Sequence, residues 1–299
     1  MLVASLLLIR LHATCLHAQD NPQETKVSEI AVPPQADSPN EEGWVGPDEL
    51  RKRLIDTLNV PPEDCKALHP EDRIWIHRDD QMVIVDGYIV QRQVPLELFA
   101  CPVGSKEHEA IVAVLARARV VHAGLLAINA KPGSPASFEP FKPPTGTTVR
   151  IYVLWLDKDK KTKGTLAQNW IRRMDNKKAM PWDFVFAGSK TYKDEEGKTH
   201  YLGDSGDLVS VSNFTTSTID VAVQSDQTNA NLMFEAFTER IPNQYTPVRL
   251  LFSLSAELPF GTRSEDKEAE SKEAKGKEPK YLTESVPDRI LKYLTPKTK

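Results

Sequence analysis

Three side chains in this sequence could assemble a reaction centre. Cys101 lies near the end of the apolar run "PLELFACP", and His108 follows after the six-residue connection 102–107. If the flanking runs pair as a hairpin, thiol and imidazole meet at the loop base, with Cβ atoms roughly 5 Å apart for directly opposed residues. Glu107 and Glu109 flank the imidazole. A thiol beside an imidazole is either a thiolate nucleophile with its base or two ligands of a metal ion. His122, in "VVHAGLL", is the candidate third ligand. Zinc asks for three or four protein ligands, and no CxxC spacing supplies the remainder. The structural alternative is a capped hairpin with a buried Cys101 and a half-buried His108.

Ser205 is the second candidate nucleophile. Gly203-Asp204-Ser205-Gly206 is spelled like the nucleophile loop of a serine protease. Such a serine needs a histidine base, an aspartate that orients it and an oxyanion hole. His122 falls inside a helical pattern, and Asp157 and Asp159 lie in a lysine-rich turn. All four residues of the motif are good turn formers, so the expectation is a glycine-rich turn. "LDKDKKTKG" opens like a calcium loop, but Lys161 takes the fifth position, Thr162 the glycine and Gln168 the bidentate glutamate. Asn213-Phe214-Thr215 spells a glycosylation sequon.

Cysteine usage depends on the N-terminus. Leu2 to Ile9 is an apolar run of eight residues, too short for a bilayer, and Ala18-Gln19-Asp20 is a plausible cleavage point. Residues 1–18 are therefore expected to be a signal peptide that exports the chain to the periplasm or cell envelope. The chain would be cytoplasmic if this segment is not a signal. Removal of residues 1–18 takes Cys15 away and leaves Cys65 and Cys101, as one disulfide in an oxidising compartment or as two free thiols. A net charge of −4 offers no basic excess for a phosphate backbone, so nucleic acid is not an expected partner. No other segment reaches transmembrane length.

These groups must be positioned by a core that the pattern locates in the middle of the chain. Residues 19–42 lack apolar periodicity and read as a disordered spacer. Residues 43–69 read as a short helical lead-in, with Leu50, Leu54 and Leu58 on one face and Pro61-Pro62 as its stop. Short β-branched runs follow from Arg73: "RIWIH", "QMVIVDGYIV", "HEAIVAVLA", "TTVRIYVLWL" and "PVRLLFSL". "RARVVHAGLLAINAKPG" instead places Val121, Leu125 and Ile128 on a helical face. "LAQNWIRRM" fits a strand or a short helix equally. Residues 259–299 read as a charged linker with a short terminal helix through Ile290, Leu291 and Leu294. The expected fold is α+β over residues 70–258: mainly antiparallel β-sheet, in one or two sheets, with one packed helix near 118–130 and disordered or weakly helical tails.

Several ordered motifs carry a resemblance. They are Arg73-Ile74-Trp75-Ile76, Phe99-Ala100-Cys101-Pro102, Lys106-Glu107-His108-Glu109 and Val121-His122-Ala123-Gly124. Pro143-Pro144-Thr145-Gly146, Phe186-Ala187-Gly188-Ser189, Gly206-Asp207-Leu208 and Ser212-Asn213-Phe214 follow. From about Pro70 to Ser255 the chain resembles the YdjY domain, seen in exported planctomycete-type proteins. The resemblance implies little about activity, since the family is described as of unknown function, and some members bear a ferredoxin-like label. A four-iron cluster takes four cysteinates, which Cys65 and Cys101 cannot supply, so no iron-sulfur cluster is expected. The favoured expectation is an exported, non-catalytic domain with no cofactor that binds a protein or envelope component. The alternative is a metal- or thiol-dependent site at Cys101, His108 and His122.

Overall fold

The computed structural model describes residues 47–58, 61–225, 231–254 and 286–294. The expected signal peptide (1–18), the spacer (19–42) and the charged linker lie outside the described residues, as does Cys15. Helix α1 (Pro47–Thr57) precedes β1 (Lys66–Ala67), β2 (Ile74–His77), β3 (Met82–Ile89), β4 (Leu98–Pro102) and β5 (Ala110–Val114). Helix α2 (Ala118–Ala127) is followed by β6 (Ser137–Phe138), β7 (Phe141–Lys142), β8 (Thr148–Leu156), β9 (Thr162–Leu166) and β10 (Ile171–Arg173). Then come β11 (Phe184–Val185), β12 (Thr191–Lys193), β13 (Thr199–Tyr201), β14 (Val209–Ser210), β15 (Ile219–Val221), β16 (Phe234–Ala236) and β17 (Pro247–Ser253). A short helix, α3 (Asp288–Leu291), runs into a final 3-10 turn, Lys292–Leu294.

Eight strands close into a barrel in the order β3-β17-β8-β11-β15-β14-β4-β5, and β5 returns to β3 through Gly87↔Val114, Tyr88↔Ala113 and Ile89↔Val112. The expected α+β arrangement of one or two mainly antiparallel sheets under a packed helix is therefore corrected to a closed barrel. Two of its pairings, β4–β5 and β14–β15, are parallel. The physical reason is that alternation reports which side chains share a face, and not which strands pair. Closure leaves those faces unchanged and removes the sheet edges. Gly87 marks the seam. A Cβ there would lie 2.3 Å from the Ala113 carbonyl oxygen, so only glycine permits the approach of β3 to β5. The other half of that edge of β3 pairs with β2, which peels away with β1.

Both faces of the long strands are covered, which is why "MVIVDGYI" is apolar almost throughout and wholly buried. Val83, Val85, Ile151, Val153, Leu250 and Phe252 face one continuous apolar cluster, which Val121 and Leu125 of α2 join. Met82, Ile84, Tyr152, Leu154 and Leu251 face the other way, under Leu50, Leu54 and Leu58 of α1 and Ile290, Tyr293 and Leu294 of the C-terminal segment. Asp86 and Arg249 are buried within that second layer. Arg249 Nε donates to Asp86 Oδ1 at 2.7 Å and its Nη1 to the Tyr293 carbonyl at 2.6 Å. Arg73 completes the network, donating to Asp86 and to the Leu58 carbonyl. The pair thus ties both terminal segments to the barrel. "LAQNWIRRM" resolves into a 3-10 turn, Ala167–Trp170, followed by β10. Among the described residues no helix is long and apolar enough to cross a membrane.

Candidate functional site

The loop between β4 and β5 decides the fate of the thiol–imidazole pair. Those strands are parallel, so the end of β4 and the start of β5 lie at opposite ends of the ladder. Cys101 therefore stands opposite Ala113, and Ala110, two residues after His108, stands opposite Leu98. The chain makes the return in seven residues through Gly104, which has φ +82°, and the 3-10 turn Glu107–Glu109. The hairpin geometry expected for Cys101 and His108 is thus not formed. Cys101 is 0% exposed and packs with Leu98, Ala110 and Phe214. Burial, with the Glu107 charge second, pushes its thiol up to about 12, so it is not a thiolate near neutral pH. The His108 side chain is 72% exposed, and its Nε2 lies 2.9 Å from Glu109 Oε1.

His122 is held elsewhere. Its ring meets Phe186 and Tyr201 edge to face, at centroid distances of 4.8 and 5.4 Å, and Nδ1 lies 3.0 Å from the Tyr201 hydroxyl. Burial lowers its pKa, favouring the neutral ring. The Tyr201 hydroxyl also lies 3.0 Å from Thr218 Oγ1 and donates to the Gly188 carbonyl at 3.3 Å. Gly188 has φ +90°, and a Cβ on it would strike Pro132 at 2.7 Å. Two of the quoted motifs, Val121–Gly124 and Phe186–Ser189, therefore meet at one imidazole. Cys101, His108 and His122 have separate surroundings. Among the described residues no group of three or more His, Cys, Asp or Glu could hold a metal ion. Cys65 and Cys101 are free thiols, so the permitted disulfide is not formed in this structure. Cys65 Sγ donates to the Glu63 carbonyl, and burial raises its thiol to about 11.

Ser205 closes a 3-10 turn, Leu202–Ser205, and its Oγ donates to the Leu202 carbonyl at 2.7 Å. The two carboxylates that flank Ser205, Asp204 and Asp207, have different tasks. Asp204 Oδ1 accepts the Arg119 N–H in the first turn of α2 at 3.0 Å, and so serves a donor that the helix leaves open. Asp207 Oδ1 accepts Lys106 Nζ at 2.9 Å, and its other oxygen accepts the Thr216 hydroxyl. At the β8–β9 tip, Asp157 accepts the N–H groups of Asp159 and Lys161 and so closes the turn.

Two further polar assemblies escaped the sequence reading. The first lies around Lys106. Its ammonium also sits over the Phe214 ring, 4.8 Å from the centroid, and Glu97 and Glu109 stand beside it with their carboxyls in hydrogen-bond contact. The available signal for Glu97 was a charged residue between Leu96 and Leu98 in an otherwise apolar run. The second assembly is the buried cluster of Ser210, Ser212, Asn213, Ser217, Thr218, Asp220 and Ser225. Asn213 Nδ2 donates to Asp220 Oδ1 at 3.1 Å, its Oδ1 accepts the Ser225 N–H at 2.8 Å, and the Ser217 hydroxyl donates to Ser210. Burial raises the Asp220 carboxyl well above the ordinary aspartate range. Asn213 is 0% exposed, so the sequon is a fold element and not a glycan acceptor in the folded protein.

Lys106–Glu109, Gly206–Leu208 and Ser212–Phe214 therefore converge on one wall of the barrel, formed by β14, β15 and β4. Comparison with known families bears on the same stretch. The model of the YdjY domain matches residues 74–253, about three fifths of the chain. No curated protein and no solved structure matches. The match opens at β2, closes at β17 and spans every strand of the barrel and each motif built into its β14–β15–β4 wall. This chain belongs to the YdjY domain family.

Proposed function

We propose that this chain is an exported, non-catalytic YdjY-domain protein that binds a protein partner or an envelope component. One observation carries the reading. Four side chains able to do chemistry in or beside the family's motifs are engaged in holding the barrel, whereas His108 stands exposed beside Glu109. Cys101 is fully buried beneath Phe214, His122 is bonded to Tyr201, Asp207 to Lys106 and Thr216, and Asp220 to Asn213. A nucleophile or general base needs access to substrate, which the burial of Cys101 and Asp220 denies. Export is supported by the Leu2–Ile9 run and the small residues that follow it.

Subcellular fractionation of the native host tests the compartment, and recovery of full-length chain in the cytoplasm would overturn export. An ester and peptide hydrolysis panel tests the rest. Turnover lost on Ser205→Ala, or a stoichiometric metal lost on His108→Ala, would replace the binding reading with a catalytic or metal-dependent one.

A further inference from the structure

Glu97 and Glu109 reach each other from two strand entries. Glu97 precedes β4, and its carbonyl accepts the N–H groups of Val211 and Ser212 at 2.9 and 3.0 Å, fixing it to the wall beyond β14. Glu109 ends the 3-10 turn that leads into β5. Glu109 Oε1 is taken by His108, whereas Oε2 is buried with no N–H or hydroxyl donor among the described residues. The nearest cation is committed elsewhere, since Lys106 bonds Asp207 and lies over Phe214. The charged groups around Glu97 are thus Glu109 from the turn, Lys106 from the β4–β5 loop and Asp207 from the loop before β14, with His108 beyond Glu109.

Two ionised carboxylates in contact repel, and a buried oxygen without a donor is destabilising. A single proton resolves both problems, because a protonated Glu97 can donate to the orphaned oxygen of Glu109. We propose that Glu97 and Glu109 share one proton, forming a pH-sensitive clasp between the entries of β4 and β5. Burial, the Glu109 hydrogen bond and the Glu109 charge together raise the Glu97 carboxyl to about 7. The folded state then binds a proton that the unfolded chain has lost. The stabilisation is complete below the ordinary value of 4.5 and disappears as pH rises through about 7. Neither the geometry nor this sign depends on whether the domain binds a partner.

Carboxyl-carbon NMR of the full chain, with labelled glutamate and Glu97 assigned through Glu97→Gln, reads the proton directly. A midpoint more than one unit above those of the exposed glutamates is expected, and one that coincides with theirs overturns the clasp. Thermal unfolding at pH 5.5 and 8.5 supplies the second readout. The amide that Glu97→Gln introduces can donate to Glu109 at any pH. This variant should therefore unfold a few degrees above wild type at pH 8.5 and level with it at pH 5.5. An equal loss at both pH values would mean that Glu97 is only a packing residue.

Discussion

The barrel is held in two different ways. On the side of β3, β17 and β8 the strands are seven to nine residues long, their ladders are continuous, and both faces are apolar. The buried charge network there, Arg73–Asp86–Arg249, has donors matched to carboxylate oxygens and to two main-chain carbonyls. On the side of β14 and β15 the strands are two and three residues long. Ladders that short supply few main-chain bonds, and serine, threonine, asparagine and aspartate side chains complete the wall. Ser212 Oγ, Asp220 Oδ2 and Ser225 Oγ are buried with no hydrogen-bond partner among the described residues. Long strands thus let apolar patterning determine the structure, whereas short strands transfer that work to polar side chains. The family motifs Gly206–Leu208 and Ser212–Phe214 lie on the second side, where Asp207 and Asn213 bond within the wall.

The comparison can be broken most severely on the first side. Arg249→Ala leaves Asp86 buried beside Arg73 alone and detaches the Tyr293 carbonyl. Losing one partner of a buried pair costs about 3–5 kcal/mol, so the midpoint of urea unfolding should fall steeply. A loss below about 1 kcal/mol would show that the terminal segment is not anchored there. On the second side, Asp220→Ala removes the acceptor for Asn213 Nδ2, at a cost of about 1–3 kcal/mol.

Asp220→Asn sharpens the contrast through pH. A carboxyl raised by burial holds its proton to higher pH in the folded state than in the unfolded chain. Its contribution to stability is full below the ordinary aspartate value of 3.8 and declines as pH rises towards the folded-state value. The amide does not titrate, so the wild type should lose more stability than Asp220→Asn between pH 5 and 8. Parallel pH profiles would contradict the buried acid. The smallest effect belongs to Ser205→Ala. Its hydroxyl is exposed and makes one local turn bond, so stability should shift by no more than about 0.5 kcal/mol.

Legibility in the sequence followed the same division. β3, β8 and β17 stand out as apolar runs because they are long enough to show a pattern, and α2 shows through the spacing of Val121 and Leu125. β14, by contrast, is only Val209–Ser210, too short to show a pattern, and most of the surrounding stretch 206–214 is irregular backbone pinned by side chains. Closure at Gly87 left no periodic trace, because a seam is a contact between strands distant in sequence. The pairing of Cys101 with His108 failed for a local reason. A short connection between apolar runs reads as a hairpin, and nothing in residues 102–109 announces a parallel return. Glu97 and Glu109 became a pair only through that return, so their contact was not visible from spacing.

The central claim is that Cys101, His122, Asp207 and Asp220 are built into the barrel and not open to a substrate. Peptide-resolved alkylation of the native full-length protein at pH 8 tests it most directly. Cys101 should label only as fast as the whole domain unfolds, well behind the partly exposed Cys65, and should become reactive in denaturant. Rapid labelling of Cys101 in the folded protein, at the rate of an open thiol, would contradict the account and return a reactive sulfur to the wall that carries the family motifs.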